Sequence, residues 1–88
     1  MKIKKGFVIQ QVGGQWVAVA TGSAAVEFSG IVKLNDTAAL AWKGIEEGLS
    51  REQIVARVVE SYDVDEQQAG NDVDAFLQAL VQSGIASE

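Results

Sequence analysis

The chain contains no cysteine, no histidine and no proline, and each absence closes a class of function. Without cysteine there is no disulfide, thiolate nucleophile or zinc–thiolate site. Without histidine the commonest general acid/base and metal ligand is missing. An enzyme built on this chain would have to work with carboxylates, lysines or its one tyrosine. No apolar run approaches the roughly 20 residues that cross a bilayer. The basic opening Met1-Lys2-Ile3-Lys4-Lys5-Gly6 leads into an alternating stretch rather than the apolar segment of a signal peptide. These absences favour a cytoplasmic binding module that is not an enzyme, carries no cofactor and has no membrane partner.

What is present suits one small folded domain spanning residues 1–88. The chain is 48% hydrophobic and 22% charged, with a formal charge of −5, which places it among globular rather than disordered sequences. The charge is divided unevenly. Residues 1–45 hold five lysines and two acids, whereas residues 46–88 hold two arginines and ten acids, giving halves of +3 and −8. Nucleic-acid binders carry a basic patch on the element that reads the ligand, and the second half would repel phosphate.

The first third alternates with a period of two. Phe7-Val8-Ile9-Gln10-Gln11-Val12 and Gln15-Trp16-Val17-Ala18-Val19-Ala20 flank Gly13-Gly14, a pair that suits a tight primed turn because both central residues need positive φ. That turn sets Gln10 opposite Val17 and Val8 opposite Val19. One face then carries Phe7, Ile9, Trp16, Ala18 and Ala20, and the other Val8, Val12, Val17 and Val19. Both faces are apolar, so one must pack on helices and the other needs cover of its own. Residues 21–30 read as a connection. Ile31-Val32-Lys33-Leu34 is a short third strand whose brevity predicts a sheet edge.

Helical signals begin at Asn35, an N-cap, with Leu34 placed to staple onto Ala39. Ala38, Ala41, Trp42 and Ile45 form the apolar face of the first helix, which Gly48 ends. Ser50-Arg51-Glu52-Gln53 is a capping box opening a second helix with Ile54, Val55, Val58 and Val59 inward. Asp65 caps a third helix whose apolar positions Ala69, Val73, Phe76, Leu77, Leu80 and Val81 keep the i, i+3, i+4 spacing. Gly84 followed by Ile85 predicts a Schellman ending. The predicted fold is α+β: an N-terminal three-stranded antiparallel sheet followed by three helices, the outline of a winged helix-turn-helix. A DNA-reading version would place basic and amide groups on one helix. The outward positions of the third helix are Asn71, Asp72, Asp74, Ala75, Gln78 and Gln82, without arginine or lysine.

The run from Phe28-Ser29-Gly30 through Leu34-Asn35-Asp36-Thr37-Ala38 to Trp42 resembles the F-x-G-x-x-x-L-N-x-T-(A/G)-x-x-x-W pattern of PqqD-like proteins. Gly48 before a Ser-x-Glu-x-Ile helix, Tyr62-Asp63-Val64 before an acidic helix opening, and the closing Asp72-Val73…Phe76-Leu77…Leu80…Gly84 continue the resemblance from Phe7 to Ile85. It implies a winged helix-turn-helix that recognises the leader of a ribosomally made precursor peptide. The leader adds as a strand beside the third strand, against the third helix, and is presented to a modifying enzyme, often a radical S-adenosylmethionine enzyme. Carried onto this chain, the implied peptide-binding residues are Phe28, Ile31, Val32, Lys33, Leu34, Asp72, Phe76 and Ala79. Members serving pyrroloquinoline quinone synthesis carry Pro-Glu-Gly ahead of Leu-Asn. Here Glu27-Phe28-Ser29-Gly30 stands in that region, so the expectation is a relative serving another modified peptide.

Simpler readings compete at several positions. Trp42 suits core packing, and Phe76 divides evenly between core and groove. Asn35 and Thr37 are first of all capping groups. Phe28 is read first as a plug for the open end of the sheet. Lys2, Lys4 and Lys5 read as a solvated, frayed tail, and the acids of the third helix as a solvated face. Glu46-Glu47 and Asp72/Asp74 diverge on their helices and do not flank a substrate. Asp63, Asp65 and Glu66 lack the spacing of a calcium loop. The alternative function is a winged-helix transcriptional regulator or protein-interaction module, and the second apolar sheet face leaves a homodimer open.

Overall fold

In the computed structural model, which describes residues 1–22, 24–27 and 31–87, the chain opens with a short strand, β1 (Lys2–Ile3). A hairpin follows, β2 (Phe7–Val12) and β3 (Gln15–Ala20), then a one-turn helix α1 (Ala24–Glu27) and the strand β4 (Ile31–Leu34). Three helices follow, α2 (Asp36–Glu46), α3 (Arg51–Tyr62) and α4 (Glu66–Ser83), and the chain closes with β5 (Ala86–Ser87). The α+β outline is as predicted, with a three-stranded antiparallel sheet in the order β2-β3-β4.

The hairpin shows how little sequence is needed to set a register. Gly13 and Gly14 have φ of 59° and 81°, the double positive φ of a type I′ turn. Val12 then faces Gln15, Gln10 faces Val17 and Val8 faces Val19. Phe7 and Ala18 on one face join the core, and Ile9, Trp16 and Ala20 pack against it. On the other face Val8 and Val12 are exposed. Val17 on that face is nevertheless buried, at the centre of the middle strand between Gln10 and Lys33.

Each helix starts where its cap predicts. Asn35 accepts from the Ala38 N–H, Ser50 and Gln53 form the full reciprocal box, and Asp65 accepts from the Gln68 N–H. Gly84 ends α4 in the left-handed conformation, with the Ile85 N–H returning to the Leu80 carbonyl. Inward faces from all three helices, with Phe7, Ala18 and Leu34 of the sheet, make one core around Trp42. The Trp42 ring is wholly buried and stands edge-on to Phe7 at 6.5 Å between centroids.

Two expectations need correction. The N-terminal backbone is not frayed: Lys2 and Ile3 pair with Ser87 and Ala86, and the Lys4 N–H donates to the Ile85 carbonyl. Ile3 packs on the core, and pairing satisfies the backbone groups that accompany it, while the lysine side chains stay exposed. The connection after β3 contains α1, whose Ala24 joins the core. Phe28, expected to plug the sheet or line a groove, lies outside the described residues with Ser29 and Gly30.

Helices α2 and α3 meet at Gly44. A Cβ there would lie 2.8 Å from Ile54 Cγ1 and 3.5 Å from Leu49 Cδ1, and Ile54 is itself locked in the core. Gly44→Ala gains roughly 1 kcal/mol of helix propensity but forces that contact apart at a cost of about 1–3 kcal/mol. The expected net result is a lower urea midpoint, in contrast to the rise that glycine-to-alanine substitution brings on an open helix surface.

Candidate functional site

The edge strand β4 follows from the hairpin geometry. In a two-residue hairpin the pair flanking the turn is hydrogen-bonded, and bonded and non-bonded pairs then alternate. Val12 and Gln15 are that pair, so Gln10/Val17 and Val8/Val19 are bonded too. On β3, Trp16 and Ala18 must therefore turn their backbone groups to β4, where they face Leu34 and Val32. It follows that Ile31 and Lys33 direct N–H and C=O away from the sheet. No described strand lies beyond them.

Side chains on β4 divide the other way. Ile31 and Lys33 lie on the outer face with Val19 and Val17, while Val32 and Leu34 lie on the helix side with Ala18 and Trp16. Leu34 is buried in the core, and its carbonyl accepts 2.9 Å from Gln15 Nε2, so it presents little outward. Val32 stays 45% exposed although it faces the helices. Apolar surface is thus left uncovered on the inner face of the edge strand.

Just past the end of β4, at Asn35, there is an open depression of about 360 Å³ lined by Asn35, Thr37, Ala38, Asp72, Ala75 and Phe76. Its position has a structural cause. Only Asn35 separates β4 from α2, so the first turn of α2 must sit against the end of the strand, and α2 also packs against α4. Viewed down α4, Val73 and Leu80 point to the core. Asp72, Ala75 and Phe76 lie on the flank toward α2 and the β4 end, while Gly70 and Asp74 lie on the flank toward α3.

Asp72 and Phe76 of the expected site are thus brought to this depression. Phe76 lines the depression and also packs against the core. Ala79 is exposed one turn further along the same flank, outside the depression's lining. Ala75 and Ala38 were not anticipated. Their signal was faint: small residues one turn from Asp72 and Asn35, meaningful only once the flank is known. Asn35 combines its cap with a place in the lining.

Two exposed ion pairs link the helices outside the depression. Arg51 donates two hydrogen bonds to Asp74, at 2.7 and 2.9 Å, tying α3 to the far flank of α4. The guanidinium holds the Asp74 carboxyl below the usual carboxylate range, and Arg57 does the same to Glu47 across the α2–α3 join. Both carboxylates have folded-state pKa values below their unfolded ones, so their support is complete above the ordinary carboxylate range and fades as pH falls through it. Tyr62, at the end of α3, titrates above its ordinary value because of burial, and secondarily because Asp36 is near.

A second depression, of about 300 Å³, has a floor of Val55, Ala56 and Val59 and a rim that includes Glu52, Glu60 and Glu66. It lies along α3, away from the β4 edge. Among the described residues no helix is long and apolar enough to cross a membrane, and no group of three or more acids is placed to hold a metal ion.

Comparison with known proteins returns the same architecture. The chain is similar to TbiB1 in a solved complex with the TbiA(beta) leader peptide, at 23% identity and a TM-score of 0.75, covering 100% of both chains. It is similar also to lasso peptide synthetase B1 complexed with the leader peptide, at 23% identity and a TM-score of 0.77, covering 99% of this chain and 96% of that one. At these identities the likeness establishes the fold. No match appears among curated proteins. The model of the family described as coenzyme PQQ synthesis protein D (PqqD) matches residues 15–86, from the start of β3 to the start of β5, and the chain belongs to the PqqD family.

Proposed function

We propose that this domain holds the leader segment of a ribosomally made precursor peptide as a fourth strand on β4 and presents it to a peptide-modifying enzyme, without catalysis of its own. The observation that carries the reading is the open edge at Ile31 and Lys33 beside a depression walled by α4. Strand addition draws affinity from main-chain hydrogen bonds and specificity from pockets for alternate side chains. Here the helix-side residues of the added strand would fall between Val32 and the Asp72–Ala75–Phe76 flank. Membership of the PqqD family and the fold shared with proteins solved with leader peptides support it. The lack of Pro-Glu-Gly ahead of Leu34-Asn35 favours a modified peptide other than the quinone precursor, and a radical S-adenosylmethionine enzyme is the expected kind of partner.

The acidic outer surface of α4 favours a leader carrying lysine or arginine. Such charges act on association rate more than on affinity, so added salt should slow binding while changing dissociation little.

The test is calorimetric titration of the domain with the leader of the precursor encoded beside it. Saturable binding tighter than about 100 μM, a free energy near −5.5 kcal/mol, is expected; its absence would sink the proposal. Filling the depression provides the matching variant. Ala75 is exposed, so Ala75→Trp should fold normally, with an unchanged urea midpoint, yet weaken leader binding by about tenfold or more, the scale of a lost anchor contact.

A further inference from the structure

The outer face of the sheet is not used by the proposed leader site, and it is unusually apolar. Val8, Val19 and Ile31 form a continuous row across all three strands, in register. Val8 is 46% exposed, Val12 58% and Ile31 64%. An antiparallel sheet with one face on a core normally turns polar side chains to water on the other. Three exposed β-branched side chains around half-buried Val19 and buried Val17 depart from that pattern, and no described element covers them. The charge beside them is of one sign. Lys33 lies on this face next to Val17, and the face carries no acid, since its other positions are Gln10 and Gln15.

Resting on the leader-binding reading above, we propose that this face is where the peptide-modifying enzyme docks, through an apolar strip edged with carboxylates. Two arguments select that occupant over a second copy of the chain. The first is area. Three strands about 4.8 Å apart and at most six residues long, at about 3.3 Å per residue, offer no more than roughly 300 Å². Face-to-face pairing would bury about 600 Å² in total, well under the ~1,000 Å² of a stable interface, and would bring two Lys33 side chains into one small contact. A larger partner can extend past the sheet and meet Lys33 with acids.

The second argument is continuity with the β4 edge. Ile31 and Lys33 carry side chains on the outer face and backbone groups on the edge. A strand added there widens this face and contributes its own alternate side chains to it. An enzyme seated on the face therefore touches domain and leader together, and binds the loaded domain more tightly than the empty one.

The experiment uses the full chain, the leader used in the titration above and the modifying enzyme encoded beside it. The chain has no native cysteine, so Val12→Cys carries a single environment-sensitive fluorophore on the face. A blue shift is expected on adding enzyme, at lower enzyme concentration when leader is present, and none on adding leader alone. The double variant Val8→Glu/Val12→Glu lies on β2, away from the leader edge. It should bind leader within about twofold of wild type and lose enzyme affinity by about tenfold or more, as expected for charges placed at the apolar core of an interface.

Equal enzyme binding by wild type and the double variant would overturn the proposal, as would absence of enzyme binding to wild type. A blue shift produced by raising the domain concentration alone would assign the face to a second copy and also overturn it. If wild type fails to bind leader yet binds enzyme in a manner the double variant abolishes, the docking face stands and the leader reading fails.

Discussion

Lys33→Pro is expected to leave the domain folded and to weaken leader binding by at least about tenfold, whereas Val32→Pro, one residue away, should destabilise the fold itself. The difference comes from the direction of two N–H groups. Lys33 points its N–H away from the sheet, so proline there removes no existing bond, and edge strands accept proline in that orientation. It does remove a donor to the incoming strand, and its ring obstructs approach. A lost main-chain bond is worth about 0.5–1.5 kcal/mol, and the ring adds to that. Val32 faces Ala18 in a bonded pair of the β3–β4 ladder, so Val32→Pro leaves the Ala18 carbonyl without its donor at a cost of about 1–3 kcal/mol. Lys33→Ala keeps the N–H and is the control for the lost charge. Calorimetry and urea unfolding of the three variants separate binding from folding. If Lys33→Pro bound leader as wild type does, the added strand would not lie on β4.

The largest effect on stability is expected at Trp42. It is the bulkiest of the fully buried side chains and has no exposed surface. Trp42→Ala opens a cavity beside Phe7 in the core, at a cost of about 3–5 kcal/mol. A domain of this size has roughly 4–13 kcal/mol in total, so the variant loses a large share of its stability and its urea midpoint should fall steeply. Trp42→Phe should lose much less. It keeps most of the ring and deletes an indole N–H that finds no hydrogen-bond acceptor among the described residues, a group whose burial is itself unfavourable. A Trp42→Ala domain with an unchanged urea midpoint would mean that the core is not organised around this ring.

Local chemistry was legible in the sequence wherever a few adjacent residues decide the outcome. The Gly13-Gly14 turn determined every pair of the hairpin, whereas which β4 residues face outward required the β3–β4 register as well. The three N-caps and both glycine stops depend on one or two residues each, and all stand where predicted. The pairing of Lys2–Ile3 with Ala86–Ser87 was not legible. Two-residue strands carry no periodicity, and their partners lie at opposite ends of the chain. The one-turn helix at Ala24–Glu27 is too short to show a 3.6-residue repeat.

The candidate site divides along the same line. Ile31–Leu34 was readable as an edge because it is short and stands between a connection and a cap. The flank of α4 that borders it was not readable. A helical wheel places Asp72 and Phe76 together on one margin, but which margin meets β4 depends on how α2 packs against both elements. Ala38 and Ala75 enter the lining for that reason alone. Charge patterning located little of this, and the proposed docking face owes its assignment to the register of Val8, Val19 and Ile31.

Amide hydrogen exchange on the leader-bound domain tests the central claim most directly. In the free domain Val32 and Leu34 are protected by the ladder to β3, and Ile31 and Lys33 should exchange fast because their N–H groups face outward. Saturating leader is predicted to slow Ile31 and Lys33 by at least about tenfold, and to leave Ile9 and Gln11 on the opposite sheet edge unchanged. Fast exchange at Ile31 and Lys33 in a saturated complex, or protection that appears at Ile9 and Gln11 instead, would contradict strand addition on β4.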